Sequence, residues 1–267
     1  RCIDGNTRVI LIASVQEING FRADIKEITR IAHERGVLVI ADGIQEAGAF
    51  RVDVRETDVD FYCAGGKKWM GNPFGMGFLY IKKSLIGEIL PDYYSYFKIA
   101  IPEEYHGDFI TYLENPNRTP FDPFTLRRDA SIFEVGGYSN YMGALGLTKS
   151  IQLLEAEGID AIEGRIRSLV RRLLNGLEKL PVHIASPTDD PHLSPTVSFN
   201  FGLVGGSAHE KKLETYLVQR RIYVSLRCNA GTGGIRVSIN YYNTESDVDA
   251  LLDAVAAFLA GESGNKA

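Results

Sequence analysis

Residues 37–45 read VLVIADGIQ and residues 59–69 read VDFYCAGGKKW, and each stretch is a largely apolar run that ends in polar residues. Short apolar runs rich in β-branched residues are typical of strands that are buried on both faces of a sheet. We therefore predict strands over 37–41 and 59–63. In open α/β sheets, ligands bind beyond the carboxyl ends of the strands. Asp42 after the first run and Lys67-Lys68 after the second thus mark a predicted site.

The sequence around these runs alternates between strand and helix patterns. Residues 9–14 form another apolar run, and apolar residues recur at helical spacing before Gly36. A glycine just past a helical pattern is typical of a helix C-terminus, so we predict a helix over 23–35. Alternating strands and helices indicate a parallel or mixed sheet covered by helices. The predicted fold class is therefore α/β.

Asp42 and Lys68 have the chemistry that a cofactor with a reactive aldehyde requires. Such a cofactor needs a lysine amine with which it forms a Schiff base, and a carboxylate that keeps its pyridine nitrogen protonated. The ends of neighbouring strands bring the two residues together despite their separation of 26 residues. An aspartate after a strand is also common as a helix cap or turn residue, and most lysines are merely solvated. The pair alone leaves both interpretations open.

A longer pattern surrounds this pair: DGIQ at 42–45, VDV at 52–54, DF at 60–61, GGKKW at 65–69 and GNPFGMGFLY at 71–80. It resembles the cofactor segment of the class V aminotransferase family, which includes cysteine desulfurases and isopenicillin N epimerase-like proteins. The resemblance implies pyridoxal 5'-phosphate (PLP) as the cofactor, a Schiff base on Lys68, Asp42 at the pyridine nitrogen and Gln45 at the ring's phenolic oxygen. It also implies the PLP-dependent transferase (aspartate aminotransferase-like) fold, with Trp69 packed behind the lysine. The glycines of the pattern also suit turns and a hairpin.

Two later segments are similar to the same family. In FEVGGYSN (133–140), Gly137 stands where the family has a threonine that reaches the cofactor phosphate of a neighbouring subunit. Ser139 or Asn140 either substitutes for that threonine or, as we expect, caps the next helix. In GIRVSI (234–239), alternation turns Arg236 away from the apolar side chains. A guanidinium suits bidentate capture of a carboxylate, and the resemblance implies that Arg236 binds the substrate's α-carboxylate. The alternative is an exposed strand arginine.

The chain departs from the desulfurase branch of the family at three places. Gly65-Gly66-Lys67 replaces Ser-Gly-His, so Lys67 is either a candidate for the cofactor phosphate or simply the solvated one of the two adjacent lysines. Cys228 lies only eight residues before Arg236, too close for the mobile loop that carries a desulfurase's nucleophilic cysteine. The family's glycine-rich phosphate turn and ring-stacking aromatic, which precede the first strand, are absent. We therefore expect either a fragment or a partner that supplies them.

The composition excludes several other classes of function. The chain has 267 residues, 45% of them hydrophobic, and its net charge of −5 comes without a clustered basic patch, so we expect no nucleic-acid or anionic-membrane partner. Its three cysteines are widely spaced and form neither a metal pattern nor a disulfide framework, which favours a cytoplasmic location. No apolar run approaches the roughly 20 residues that span a bilayer. Neither a Gly-x-Gly-x-x-Gly turn nor a P-loop indicates a nucleotide-binding module.

We predict two domains. Residues 1–157 form the C-terminal part of a large PLP-binding α/β domain that includes an irregular crossing segment at 91–130, and residues 158–267 form a small α+β domain. In the second half we predict helices over 138–157, 160–180, 208–219 and 246–259, and strands over 182–185, 196–201, 223–226 and 234–239. Thr244, with Asp247 three residues later, predicts a capping-box-like start for the last helix.

The predicted function is that of a PLP-dependent enzyme which acts on an amino acid by transamination, epimerisation or elimination. The resemblance implies a homodimer with sites at the interface. The alternatives are a cysteine desulfurase and a catalytically incomplete fragment or non-catalytic partner.

Overall fold

The computed structural model contains two four-stranded sheets, each accompanied by helices. It describes residues 2–93, 95, 98–119, 121–134, 140–202 and 207–264. The strands are β1 (Val9–Ala13), β2 (Leu38–Asp42), β3 (Phe61–Gly65), β4 (Gly77–Ile81), β5 (His183–Ile184), β6 (Thr196–Asn200), β7 (Ser225–Asn229) and β8 (Thr232–Ser238). The helices are α1 (Ile25–His33), α2 (Val54–Thr57), α3 (Phe109–Leu113), α4 (Tyr141–Glu157), α5 (Ile159–Leu177), α6 (Ala208–Gln219) and α7 (Glu245–Gly264).

The first sheet has the strand order β1-β2-β3-β4, and its first three strands are parallel. β4 turns back antiparallel to β3, as the glycine-rich segment between them predicts. The register pairs Ala13 with Asp42 and Asp42 with Cys63, so the carboxyl ends of the three parallel strands lie side by side. The predicted mixed α/β sheet is confirmed, and Asp42 is the last residue of β2.

The strand predicted over 59–63 is shifted by two residues, and the short helix α2 before it was not predicted. Asp58 ends α2 with a left-handed backbone conformation, which an aspartate tolerates. The buried Asp60 carboxylate then accepts a hydrogen bond from the Val39 amide at 2.8 Å and lies 2.8 Å from the His33 ring. This side chain thus satisfies a backbone donor of β2 before β3 begins.

The second sheet has the order β5-β6-β8-β7 and is antiparallel throughout. Its strands overlap the four predicted ones, and α6 has the predicted ends. β7 begins and ends later than predicted and therefore includes Arg227 and Cys228. Thr244 and Asp247 form the expected reciprocal cap before α7: the Thr244 amide donates to the Asp247 carboxylate at 2.8 Å, and the Asp247 amide donates to the Thr244 hydroxyl at 3.2 Å.

The larger hydrophobic core lies between the second sheet and the helices α5, α6 and α7. One face of α5 is apolar along its whole length, as helical periodicity predicts. Phe50 and Trp69, from the first part of the chain, also belong to this core. A separate, smaller core lies between α1 and the first sheet. The division of the chain at residues 157 and 158 stays a prediction.

The segment expected to be irregular, 91–130, contains α3, a short 3-10 helix over Glu103–Tyr105 and an isolated bridge between Ile99 and Leu126, and a further 3-10 helix, Ala130–Phe133, begins at its last residue. Beyond it, the Asn140 side chain accepts a hydrogen bond from the Gly143 amide at 2.9 Å, so the expected helix cap at the start of α4 is confirmed. None of the helices in the described ranges combines the length and the apolar character that crossing a membrane requires.

Candidate active site

Lys68 lies in the turn that follows β3 and is half-buried. Burial lowers the pKa of its amine. Four charged groups also act on it: Arg236 and Lys67 lower its pKa further, whereas Glu17 and Asp42 raise it. The structure therefore brings Asp42, Lys67 and Arg236, all predicted from the sequence, to the same amine. A lysine with a lowered pKa keeps more of its amine in the nucleophilic, unprotonated form near neutral pH.

A hydrogen bond fixes Asp42 at the end of β2 through one of its oxygens. Its Oδ1 accepts from the Ile44 amide at 2.9 Å, and no residue in the described part of the chain donates to Oδ2, which is available to a ligand. Cys63 is opposite Asp42 on the neighbouring strand β3, and burial, followed by the Asp42 charge, raises the pKa of its thiol. A cleft of 920 Å³ opens beside these residues, and its lining includes Asp42, Gly77, Phe133 and Asn140.

Gln45 is buried against Trp69, the residue after Lys68. The Trp69 indole N–H donates to Gln45 Oε1 at 3.3 Å. Because an indole nitrogen is only a donor, this contact fixes the orientation of the amide, and the Gln45 NH₂ is the group available to an acceptor. Trp69 is itself part of the larger core. The turn with Lys68 is thus attached to packed structure through the next residue, in agreement with the expected packing role of Trp69.

Arg236 lies on β8 between Ser198 of β6 and Ser225 of β7. Its Nη1 donates to the Glu17 carbonyl at 3.0 Å, whereas its Nε is buried and has no hydrogen-bond partner in the described part of the chain. Burial lowers the pKa of this guanidinium, and the nearby Arg227 lowers it further. The alternative of a simply exposed strand arginine is therefore wrong. A buried donor without a partner is typical of a site that receives a ligand.

The loop after β1 crosses the second sheet and covers Arg236. The Ser198 hydroxyl donates to the Ile18 carbonyl at 2.5 Å, and the Ser186 hydroxyl donates to the Asn19 carbonyl at 2.6 Å. Gly20 has a positive φ of 71°, and a Cβ there would lie 2.2 Å from the Thr196 carbonyl oxygen, so this close approach requires glycine. These contacts join the two sheets at the site.

Glu17 is a residue of this site that the sequence patterns do not indicate. It acts on Lys68 through its charge and on Arg236 through its backbone carbonyl. A backbone acceptor leaves no signal in the sequence, and a solvent-exposed glutamate in a loop has no distinctive pattern either. Only the packing of the loop on the second sheet reveals both roles.

The remaining predicted residues have mixed placements. Lys67 is exposed, and its Nζ lies 4.9 Å from the centre of the Phe74 ring. Cys228 is within β7 rather than in a loop, and its thiol lies near Gly234 and the Glu210 charge. Since side chains alternate along a strand, Cys228 faces away from the side of the sheet that carries Arg236.

Residues 135–139, which include Gly137 and Ser139, lie outside the described residues. In the described ranges no cluster of His, Cys, Asp and Glu suits a metal ion.

The family model for class V aminotransferases matches residues 1–251, so the chain belongs to this family. Among curated proteins, it is 29% identical over 262 residues to the cysteine desulfurase CsdA of Escherichia coli K12, covering 95% of this chain and 59% of the relative. It is 26% identical to a probable cysteine desulfurase of Pyrococcus abyssi, over 92% of this chain and 58% of that protein. The chain thus spans less than two thirds of the length of these relatives.

Solved structures have the same fold over nearly the whole chain. The apo cysteine desulfurase of Thermococcus onnurineus NA1 superposes with a TM-score of 0.79 at 25% identity, covering 95% of this chain and 60% of that one. The cystine C-S lyase C-DES, in complex with its product cysteine persulfide, gives a TM-score of 0.78 at 26% identity, covering 95% and 62%. A C-DES variant has glycine covalently linked to its PLP cofactor. The predicted PLP-dependent transferase fold, present in part, is confirmed.

Proposed function

We propose that this chain carries the cofactor lysine and the substrate-binding arginine of a PLP-dependent enzyme that acts on an amino acid. The observation that supports this most directly is the convergence of Lys68, Asp42 and Arg236, which come from two different sheets. The PLP-linked structure of C-DES, a similar protein, supports the same cofactor. PLP supplies an electron sink that stabilises negative charge at the substrate's α-carbon.

The described residues fit this cofactor. The free Oδ2 of Asp42 is suited to the protonated pyridine nitrogen, and the Gln45 NH₂ is suited to the phenolic oxygen. Lys68 would hold the aldehyde carbon. We also propose Lys67 for the phosphate, since its exposed ammonium is free to turn from the Phe74 ring towards an anion. The orphaned Nε of Arg236 is an available donor for a substrate carboxylate.

In this proposal, Arg236 and Asp42 have one task each and Lys68 has two in succession. Arg236 holds the carboxylate and so orients the bond from the α-carbon that breaks. Once the amino group of the substrate has displaced it from the aldehyde carbon, the free Lys68 amine takes or returns the proton at the α-carbon, and its lowered pKa leaves more of it unprotonated for this second task. Asp42 keeps the positive charge on the pyridine nitrogen through its own negative charge.

The test is to locate the lysine to which the cofactor binds. The 267-residue chain is incubated with pyridoxal phosphate and reduced with borohydride, and the labelled peptide is mapped by mass spectrometry. We expect one equivalent of label on Lys68 and no specific label in Lys68→Ala. In Lys67→Ala the label stays on Lys68 but requires a higher concentration of pyridoxal phosphate, because Lys67 is proposed to bind the phosphate. Label scattered over exposed lysines, or label on Lys67 alone, would contradict the assignment.

Cysteine desulfurase is the second candidate, because the curated relatives described above are named as desulfurases or probable desulfurases. Cys228 does not support this activity, since it faces away from Arg236. Cysteine turnover by the chain, measured as alanine and bound sulfur, tests the candidate. Abolition of sulfur transfer in Cys228→Ser, with Lys68 labelling unchanged, would identify Cys228 as the sulfur acceptor despite its position.

We further propose a homodimer in the cytoplasm. The exposed apolar side chains of Tyr141, Met142 and Leu145 on α4 support a contact with a second copy. Sedimentation of the purified chain gives its oligomeric state, and a monomer at micromolar concentration would count against the dimer.

A further inference from the structure

Arg227 is a second arginine on the same face of the second sheet as Arg236. In the register of β7 and β8, Ser225 is opposite Arg236 and Arg227 is opposite Gly234. Ser225 and Arg227 are two residues apart on one strand and therefore face the same way. Arg227 and Arg236 are thus diagonal neighbours, a relation in which long side chains reach each other. The effect of Arg227 on the Arg236 pKa agrees with this proximity.

Neither guanidinium has a carboxylate partner among the residues that the structure describes. Arg227 is exposed and donates only to the carbonyl of its neighbour Leu226, at 2.9 Å. Arg236 donates to the Glu17 carbonyl and keeps a buried Nε without an acceptor. The Glu17 carboxylate acts on Lys68 and on Arg236. The Arg227 charge is left without compensation, beside an arginine that already repels it.

Two adjacent guanidinium groups, neither of which is hydrogen-bonded to a carboxylate of the described residues, suit a ligand that brings two anionic groups. We propose that Arg227 binds a carboxylate on the side chain of the substrate, so that the substrate class is an acidic amino acid with two carboxylates. This inference rests on the proposed function, in which Arg236 takes the α-carboxylate. An amino acid with one carboxylate would leave Arg227 unpaired.

The test compares simple acids, so that it needs neither cofactor nor turnover. Binding of glutarate and of butyrate to the chain is measured by titration calorimetry or ligand-observed NMR at fixed ionic strength. We expect glutarate to bind about tenfold more tightly than butyrate, the factor that one additional charge-assisted hydrogen bond provides. In Arg227→Gln the two affinities become equal within about twofold, because only the glutarate affinity falls.

Arg35→Gln is the matched control. Arg35 is exposed and lies just before β2, at the end of the sheet opposite to Asp42. This variant keeps the full glutarate preference if the effect is local. Any of three results would overturn the proposal. The unchanged chain could show no preference for glutarate, Arg227→Gln could lower the affinity for both acids equally, or Arg35→Gln could lower the glutarate affinity as much as Arg227→Gln does. Lys68 labelling is measured separately, so a failed preference with intact labelling refutes only the role of Arg227, whereas failed labelling refutes the proposed function.

Discussion

The two sheets contribute to the site in different ways. The first sheet places Asp42 at the end of a strand and Lys68 in a turn beyond the next one. The second sheet presents Arg236 from the middle of a long strand, where alternation alone sets its direction. Strand ends leave backbone groups free for a ligand, whereas a strand face offers a rigid support for one side chain. The site combines both, because the loop after β1 crosses from the first sheet to the second.

The sheets also differ in how well they are covered. Phe199 of β6 is fully buried in the larger core, whereas Leu11 of β1 is 72% exposed. The second sheet therefore carries most of the apolar packing that this chain contains, and the first sheet has an open edge strand. We expect stability to depend mainly on the second sheet and chemistry mainly on the first.

The largest effect is expected from Phe199→Ala, since deleting a fully buried aromatic side chain costs about 3–5 kcal/mol. Leu11→Ala is the contrasting variant on the first sheet, and its change stays within about 0.5 kcal/mol because the side chain is already in water. Guanidinium unfolding at equilibrium measures both. A large loss in Leu11→Ala would break the comparison, because it would show that the first sheet's edge is covered in solution.

An intermediate effect is expected at the ion pair of Arg22 and Glu46, which belongs to the first part of the chain and lies beside Glu163 and Arg167 of α5. The buried Glu46 accepts from Arg22 Nε at 2.8 Å, and the guanidinium groups of Arg22 and Arg167 lie 5.0 and 4.7 Å from the centre of the Phe50 ring. Glu46→Gln keeps the shape but removes the charge, so we expect a loss of about 1–3 kcal/mol in unfolding free energy.

Glu34→Gln is the control for this pair. Glu34 forms an ion pair with Arg30 on the surface of α1, where both side chains are exposed. Solvent screening limits such pairs to about 0.5 kcal/mol. If the two variants lost equal stability, the burial of the Arg22–Glu46 pair beside α5 would have no special role.

The smallest effect concerns the pH dependence contributed by Lys68. Its pKa in the folded chain lies below the unfolded value of 10.5, mainly because of burial. Below the folded pKa, folding carries the full cost of keeping the buried ammonium, and this cost is relieved as the pH rises from the folded pKa towards 10.5. Lys68→Met should therefore be relatively more stable than the unchanged chain at neutral pH, by an amount that shrinks towards pH 10.5.

Denaturant midpoints measured between pH 7 and pH 10.5 give this difference. Lys68→Arg serves as the control, because arginine keeps its charge across the range and its difference from Lys68→Met does not shrink. If the difference in stability between the unchanged chain and Lys68→Met stayed constant with pH, Lys68 would be fully solvated. The turn after the first sheet would then not supply a lysine with a lowered pKa.

Local patterns predicted local features well. The ends of α6, the Asn140 cap and the reciprocal cap of Thr244 and Asp247 were predicted, because a few neighbouring residues determine each of them. The positions of Asp42, Lys68 and Arg236 followed from strand ends and alternation combined with a family resemblance. Their assigned chemical roles, and those of Gln45 and Lys67, stay proposals until the labelling experiment is done.

The features that could not be predicted all depend on long-range contacts. Nothing near Asp60 in the sequence indicates that its carboxylate would bind the Val39 amide and shift β3. The side of the sheet that Cys228 faces could not be predicted either, because the end of β7 depends on its pairing with β8.

The sequence by itself determined the α/β character of the first part, the family and the candidates for the reactive residues, because periodicity and short motifs are local properties. The tertiary structure alone decided which charges surround Lys68, that Glu17 and Arg227 act on Arg236, and that the Arg236 Nε is buried without a partner among the described residues. Burial and charge interactions act through space between distant residues, so they exist only once the loop after β1 has packed on the second sheet.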